Sequence, residues 1–177
     1  MNPWGRPAAD EFATYYERYI AMCPDDDLFA AFEHASEKRT DLVRRIDPEI
    51  VLYRYAPGKW RTIDVLQHMI DCERVFAYRA LRFARNDATD LPGFEENDYA
   101  DEAARTTRAL VDVVDEMVLV RHSTVALFRG LGAETALRRG TANGNPFSVR
   151  ALGWAIAGHE LHHLGIINER YLAHAEA

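Results

Sequence analysis

Apolar residues recur along most of this chain at the three- and four-residue spacing of an amphipathic helix. No stretch alternates apolar and polar residues well enough to predict a strand. We therefore expect an all-α protein, a four-helix bundle in a single domain over residues 1–177, with an extra short helix before the bundle. The predicted helices cover residues 9–21, 28–46, 62–85, 106–129 and 148–174.

Residues with capping and turn chemistry mark the ends of these helices. An Asp among residues 25–27 can cap the first long helix, Thr62 the second and Ser148 the last. Pro92-Gly93 predicts a turn inside a long connection, and connections of this length often wrap a functional site. Loops are expected over residues 51–60, 86–99 and 141–146.

The last helix is apolar nearly all round, which predicts that it is buried on both sides. One face combines two histidines with Leu152, Ile156, Ile166 and Ile167. The opposite face carries Trp154, Ala157, Leu161, Leu164 and Leu172. In a chain of this size, we expect the outer side of the helix to form a subunit interface in a homodimer.

His159 and His163 lie one helical turn apart, and both imidazoles are expected to point into the core. A buried polar group without a partner costs roughly 1–3 kcal/mol, and a divalent metal is one partner that suits this spacing. If the second long helix packs beside the last, His68 completes a set of three imidazoles with open coordination positions. That pattern is typical of a catalytic site for zinc, nickel or iron. The alternative is that the histidines are only hydrogen-bonded in the core.

Other residues near this predicted site leave alternatives open. Cys72 lies beside His68 and is either a thiolate ligand or a small core residue. His162 points away from the pair, toward solvent or behind a ligand. Arg79 and Arg82 are candidates for holding a substrate carboxylate, although Arg82 falls on a polar stripe. No partner pattern involves the remaining histidines, which we expect on the surface: His34, His122 and His174.

Two carboxylates are candidates for catalysis. Glu73 falls within an apolar stripe, so it is either a pocket residue or half of a buried ion pair with an arginine. Glu160 can hydrogen-bond a metal ligand or a bound water. The sequence His159-Glu160-Leu161-His162-His163 also fits the zincin pattern with Glu160 as general base, but an all-helical chain lacks the strand edge that usually holds a peptide.

The composition of the chain limits which partners and which cellular compartment we expect. A formal charge of −7 argues against nucleic acid as a partner, because such binding needs a basic face. Two cysteines, Cys23 and Cys72, do not make a disulfide framework, which indicates a reducing compartment. No apolar signal core or membrane-spanning run occurs. We expect a cytoplasmic protein without a membrane partner.

The chain resembles the DinB/YfiT-like superfamily of metal-binding four-helix bundles. The motifs that carry the resemblance are residues 60–74 (WRTIDVLQHMIDCER), residues 78–85 (YRALRFAR), the Leu91-Pro92-Gly93-Phe94 loop and residues 159–167 (HELHHLGII). The resemblance implies long crossover loops, a dimer, and a divalent metal held by His68, His159 and His163.

The same resemblance leaves the reaction open. It implies a divalent-metal-dependent enzyme with a small-molecule substrate, and our first expectation is a transferase that uses a low-molecular-weight thiol. The alternatives are a metal-dependent hydrolase and a non-catalytic metal-binding stress-response protein. In either enzyme, the ion would acidify a thiol or a water and so make a nucleophile near neutral pH.

Overall fold

Four long helices dominate the computed structural model, which describes residues 2–173. In chain order the helices are α1 (Glu17–Ile20), α2 (Leu28–Val43), α3 (Pro48–Val51), α4 (Thr62–Ala84), α5 (Glu96–Ala103), α6 (Leu110–Arg129) and α7 (Val149–Ile166). Two short strands, β1 (Arg139–Ala142) and β2 (Asn145–Ser148), precede α7, and a wider π-helical turn (Ile167–Leu172) follows it. The mostly helical four-helix bundle expected from the sequence is confirmed.

Helix α4 lies at the centre of the bundle. It packs against α7 and α6, while α2 packs mainly against α7. The largest completely buried side chains come from all four long helices and include Phe32, Leu66, Ile70, Phe83, Phe128, Leu152 and Trp154. The second and last long helices therefore lie side by side, as a shared metal site requires. No helix within residues 2–173 has both the length and the apolarity needed to cross a membrane.

The helix ends agree with the capping chemistry at two of three predicted positions. The Asp27 side chain accepts hydrogen bonds from the first amides of α2, and the Ser148 hydroxyl accepts from the Ala151 amide of α7. Thr62 was wrong as a cap, because its hydroxyl donates to the Ile50 carbonyl at 2.6 Å instead. The Asp64 carboxylate takes its place and accepts from the amide of the residue before α4 at 2.8 Å.

The loop expected over residues 141–146 is a β-hairpin. Strands β1 and β2 pair antiparallel, and the two residues between them, Asn143 and Gly144, both have positive φ (51° and 69°). This is the backbone that an Asn-Gly turn favours. The Leu91 amide donates to the Thr141 carbonyl at 3.0 Å, which anchors the long connection after α4 against the hairpin. The prediction that the chain contains no strand was wrong, because a strand of four residues is too short to show a clear alternation of apolar and polar positions.

The N-terminal segment is less helical than expected. Residues 9–21 form two short 3-10 turns and the four-residue α1, instead of one helix. The segment lies across α7 so closely that a Cβ on Gly158 would come within 2.0 Å of the Tyr19 carbonyl oxygen. The Trp154 indole donates to the Trp4 carbonyl at 3.2 Å. The outer side of α7 is thus covered by the chain itself. The prediction that this surface forms a subunit interface was therefore wrong.

A buried carboxylate ties this N-terminal segment to the start of α7. Glu11 accepts from the Ser148 hydroxyl at 2.7 Å, from the Arg150 guanidinium at 2.8 Å and from the Ala8 amide at 2.9 Å. Burial opposes ionisation of Glu11, but these hydrogen bonds outweigh it and lower the carboxyl pKa from its ordinary 4.5 to about 2. The ionised carboxylate therefore stabilises the docked segment at neutral pH.

Candidate metal centre

Three histidine rings meet between α4 and α7. The Nε2 atom of His159 lies 3.2 Å from Nε2 of His68 and 3.1 Å from Nε2 of His163. His68 and His159 are buried, and His163 is partly buried. The helical spacing places His159 and His163 on one face, and the packing of α4 beside α7 adds His68. The structure thus brings together all three histidines that the sequence nominated.

The two distances from Nε2 of His159 to its neighbours suit an ion shared between the rings. Ligand nitrogens that lie about 2.0–2.1 Å from one ion are about 2.8–3.4 Å apart, from square to tetrahedral angles. Hydrogen bonding alone suits the arrangement less well. A neutral imidazole carries either a proton or a lone pair at Nε2, yet Nε2 of His159 faces two other Nε2 atoms. A cation bound to all three lone pairs would satisfy every ring at once.

The protonation state of the rings also favours metal binding. Burial lowers the pKa of His68 to about 4. Burial, and then repulsion from the neighbouring rings, holds the pKa of His159 well below its ordinary value, and His163 is lowered for the same reasons. The three imidazoles are therefore neutral at pH 7, which is the form that coordinates a divalent ion.

Cys72 lies beside the same cluster. Its sulfur and the ring nitrogens of His68 and His159 offer ligand atoms within 4.8 Å of one another. The sulfur is 3.6 Å from both Nδ1 and Nε2 of His68. A sulfur that shared an ion with Nε2 of His68 would lie nearer to Nε2 than to Nδ1, because an ion bound at Nε2 lies on the far side of the ring from Nδ1. Burial also raises the thiol pKa. The geometry favours Cys72 as a neutral residue of the pocket wall.

Aromatic rings enclose the histidine cluster. The Trp60 ring centre lies 4.8 Å from that of His68, and the Tyr19 ring centre lies 5.4 Å from that of His159. Phe76 approaches His159 from another side, with ring centres 6.2 Å apart. His162 is partly buried, and its ring packs against Tyr19 and against the ring of His163. These rings keep bulk water away from the three imidazoles.

The two candidate carboxylates belong to a buried ion-pair network behind the cluster. Arg121 on α6 donates to both oxygens of Glu73 on α4, at 2.9 and 2.8 Å. The same guanidinium lies 2.7 Å from Glu160 on α7, which also accepts from Arg39 on α2 at 2.6 Å. All four side chains are buried. The ion-pair alternative for Glu73 describes what is observed, and the network ties one residue of each long helix together next to His159.

A cavity of about 270 Å³, here cavity A, opens on one side of the cluster. His159 and Cys72 line it, together with the aromatic rings of Tyr15, Tyr16, Phe76 and Phe94. The remaining lining residues are Tyr19, Arg79, Glu96, Asn143 and Asn145. Three tyrosines of the N-terminal segment thus line a space beside the histidines.

A second cavity, cavity B, also borders the cluster and has a volume of about 220 Å³. His163 and Trp60 line it, together with Lys59 and Tyr55. Two cavities therefore border the cluster, and each is lined by a different histidine of α7.

The sequence did not identify several residues that lie around the cluster. Arg39 and Arg121 went unnoticed, although Arg121 shares the buried face of α6 with Val113, Met117 and Phe128. Asn143 and Asn145 were also missed; the Asn143-Gly144 pair was the available signal for the hairpin that carries them. Of the predicted surface histidines, His122 is exposed and His34 is partly buried. His174 lies outside the described residues.

Comparisons with known proteins agree with this architecture. Among solved structures, YfiT from Bacillus subtilis matches with a TM-score of 0.70 at 14% sequence identity, over 99% of this chain and 98% of that chain. YfiT is described as a probable metal-dependent hydrolase with an unusual four-helix bundle topology. No curated protein matches the sequence. The sequence profile of the DinB superfamily matches residues 31–167, which is most of the chain. The protein therefore belongs to the DinB superfamily.

Proposed function

We propose that this protein is a divalent-metal-dependent enzyme in which His68, His159 and His163 hold the ion. The observation that carries the proposal is that Nε2 of His159 lies 3.2 Å from Nε2 of His68 and 3.1 Å from Nε2 of His163, beside a cavity that can admit a small molecule. Three protein ligands leave coordination positions open, which favours a catalytic over a purely structural or stress-related metal site. Zinc, nickel and iron all suit imidazole ligands.

The chain's own residues divide the work around that site. A bound ion would lower the pKa of a coordinated thiol or water and so supply a nucleophile near neutral pH. The ion-pair network holds α4 and α7 in register, which fixes the three rings in place. Trp60, Phe76 and Tyr19 keep bulk water from the cluster, which strengthens electrostatic effects inside it.

Thiol transfer is the reaction that we favour. A transfer between two molecules needs two binding spaces that meet at the nucleophile, and cavities A and B touch His159 and His163 respectively. Lys59 in cavity B offers a charge that suits a polar low-molecular-weight thiol. Hydrolysis is the alternative, because it needs only one of these spaces and a water, and because YfiT carries that description. A homodimer in the cytoplasm is part of the proposal and rests on the family resemblance and the cysteine usage.

Metal content is the first test. We expect wild-type protein purified without chelator to contain about one equivalent of a divalent metal, and His163→Ala to lose most of it. His162→Ala is the matched control, because it removes the ring that packs against His163 and leaves all three proposed ligands in place, and it should keep the metal. Equal metal content in wild type and His163→Ala would retire the ligand assignment.

Activity assays then separate the reaction classes. Metal-loaded protein is incubated with a low-molecular-weight thiol and an alkylating electrophile, and in parallel with ester and amide substrates. Thiol-dependent product that disappears in His163→Ala supports transfer, whereas thiol-independent cleavage supports hydrolysis. Inactivity in both assays with full metal content would count against an enzyme and favour a metal-binding protein without catalysis.

A further inference from the structure

Arg79 is a buried cation that makes no ion pair with any of the described carboxylates. Its side chain is only 3% exposed, and its hydrogen bond is to the Pro92 carbonyl, at 3.0 Å. Within residues 2–173, no carboxylate oxygen lies within 4.0 Å of its guanidinium, as the ion pairs found there do not include it. The other deeply buried arginines, Arg39 and Arg121, each hold at least one carboxylate. Arg79 therefore lacks the compensation that buried charges usually require.

The unpaired guanidinium borders cavity A. Residues 72, 76 and 79 follow the spacing of one helix face, and all three line this cavity. Phe76 and Phe94 flank the cation, with ring centres 5.7 and 6.0 Å from its central carbon. The hydrogen bond to Pro92 occupies one nitrogen, which leaves other N–H groups of the fork to bind a molecule in the cavity.

We propose that cavity A binds a small organic carboxylate with an apolar, preferably aromatic body, and that Arg79 binds the carboxylate. This names the substrate class of the enzyme proposed above and in that respect rests on that function. A guanidinium matches a carboxylate with two parallel hydrogen bonds, and such charge-assisted bonds are strong when buried. The aromatic walls of the cavity would hold the body of the molecule, which then extends toward His159.

The dimensions and charges of cavity A narrow this class further. Its volume of about 270 Å³ lies near the lower end for ligand pockets, which indicates a small molecule. Cys72 and Arg79 are seven positions apart, which is about 10 Å along the helix axis, so the carboxylate and the reacting group lie at opposite ends of the ligand. Glu96, on the exposed side of the cavity, disfavours a second negative charge.

Calorimetric titration with benzoate and its uncharged counterpart benzamide tests the inference, in metal-free and zinc-loaded protein. Wild type is expected to bind benzoate about tenfold to a hundredfold more tightly than benzamide in both forms. Arg79→Gln should lose this preference, and Arg79→Lys should keep part of it, because it retains the charge but not the fork. Arg82→Gln is the matched control: Arg82 lies on the same helix but pairs with Asp87 outside the cavity, and its variant should bind as wild type.

Three results would overturn the inference. The first two are that wild-type protein binds both probes equally well, or that it binds neither. Both are measured on wild-type protein alone, so they hold even if Arg79→Gln fails to fold. A preference for benzoate that survives in Arg79→Gln also refutes it, and if that preference appears only with zinc, the carboxylate binds the ion instead. The metal content of the same samples separates the two proposals. If wild-type protein binds metal but does not prefer benzoate, only the carboxylate site is refuted. If it prefers benzoate but binds no metal, only the proposed metalloenzyme is refuted.

Discussion

Replacing Arg121 by Met is the most informative perturbation of the scaffold behind the metal site. Arg121 donates to both oxygens of Glu73 and contacts Glu160, and all three side chains are buried. Glu160 keeps Arg39 in the variant, but Glu73 loses the one ion pair that it makes within residues 2–173. Removing one partner of a buried pair costs about 3–5 kcal/mol. For a domain of this size, that corresponds to a fall in Tm of roughly 6–20 °C.

Urea unfolding followed by circular dichroism measures this loss. Arg74→Met is the matched control, because Arg74 joins the same two helices through Glu116 but is 51% exposed, and its loss should stay below about 1 kcal/mol. The double variant Arg121→Met/Glu73→Gln should recover stability, since it removes the stranded charge. If Arg121→Met unfolds at the same urea concentration as the control, or the double variant recovers nothing, the argument from buried charge is refuted.

Three further predictions address other parts of the molecule. At pH 7, Glu11→Gln should lower the free energy of unfolding by about 2–3 kcal/mol, because the pKa of the Glu11 carboxyl is lowered from 4.5 to about 2 in the folded protein. This difference should be present above pH 4.5 and should fade as the pH falls toward 2, which unfolding measurements at a series of acid pH values would show. Cys72→Ala should keep its metal by elemental analysis; loss of the metal would make the thiol a ligand. Gly158→Ala should lose about 1–3 kcal/mol or more, whereas Gly165→Ala, whose Cβ meets nothing within 4 Å, should be neutral or gain up to about 1 kcal/mol in thermal unfolding; equal effects would contradict the packing.

Which partners the buried charged groups take was not predictable from the sequence. Glu73 was recognised as a carboxylate in an apolar stripe, but its partner Arg121 lies 48 residues away, and Arg39 lies 121 residues from Glu160. The sequence therefore left a pocket residue and an ion pair equally open for Glu73. The short N-terminal helix and the hairpin were misjudged for a related reason, because segments of three or four residues have no periodicity of their own and depend on what they pack against.

Helix geometry explains what the sequence determined by itself. The four long helices, their caps at Asp27 and Ser148, and the shared face of His159 and His163 follow from a repeat of 3.6 residues per turn, which acts over short distances along the chain. Only the tertiary structure decided that His68 meets that pair, that the N-terminal segment covers α7, and that Arg79 borders cavity A without an ion pair to any residue in the 2–173 range. These features depend on contacts between residues far apart in sequence, and such contacts leave no local pattern.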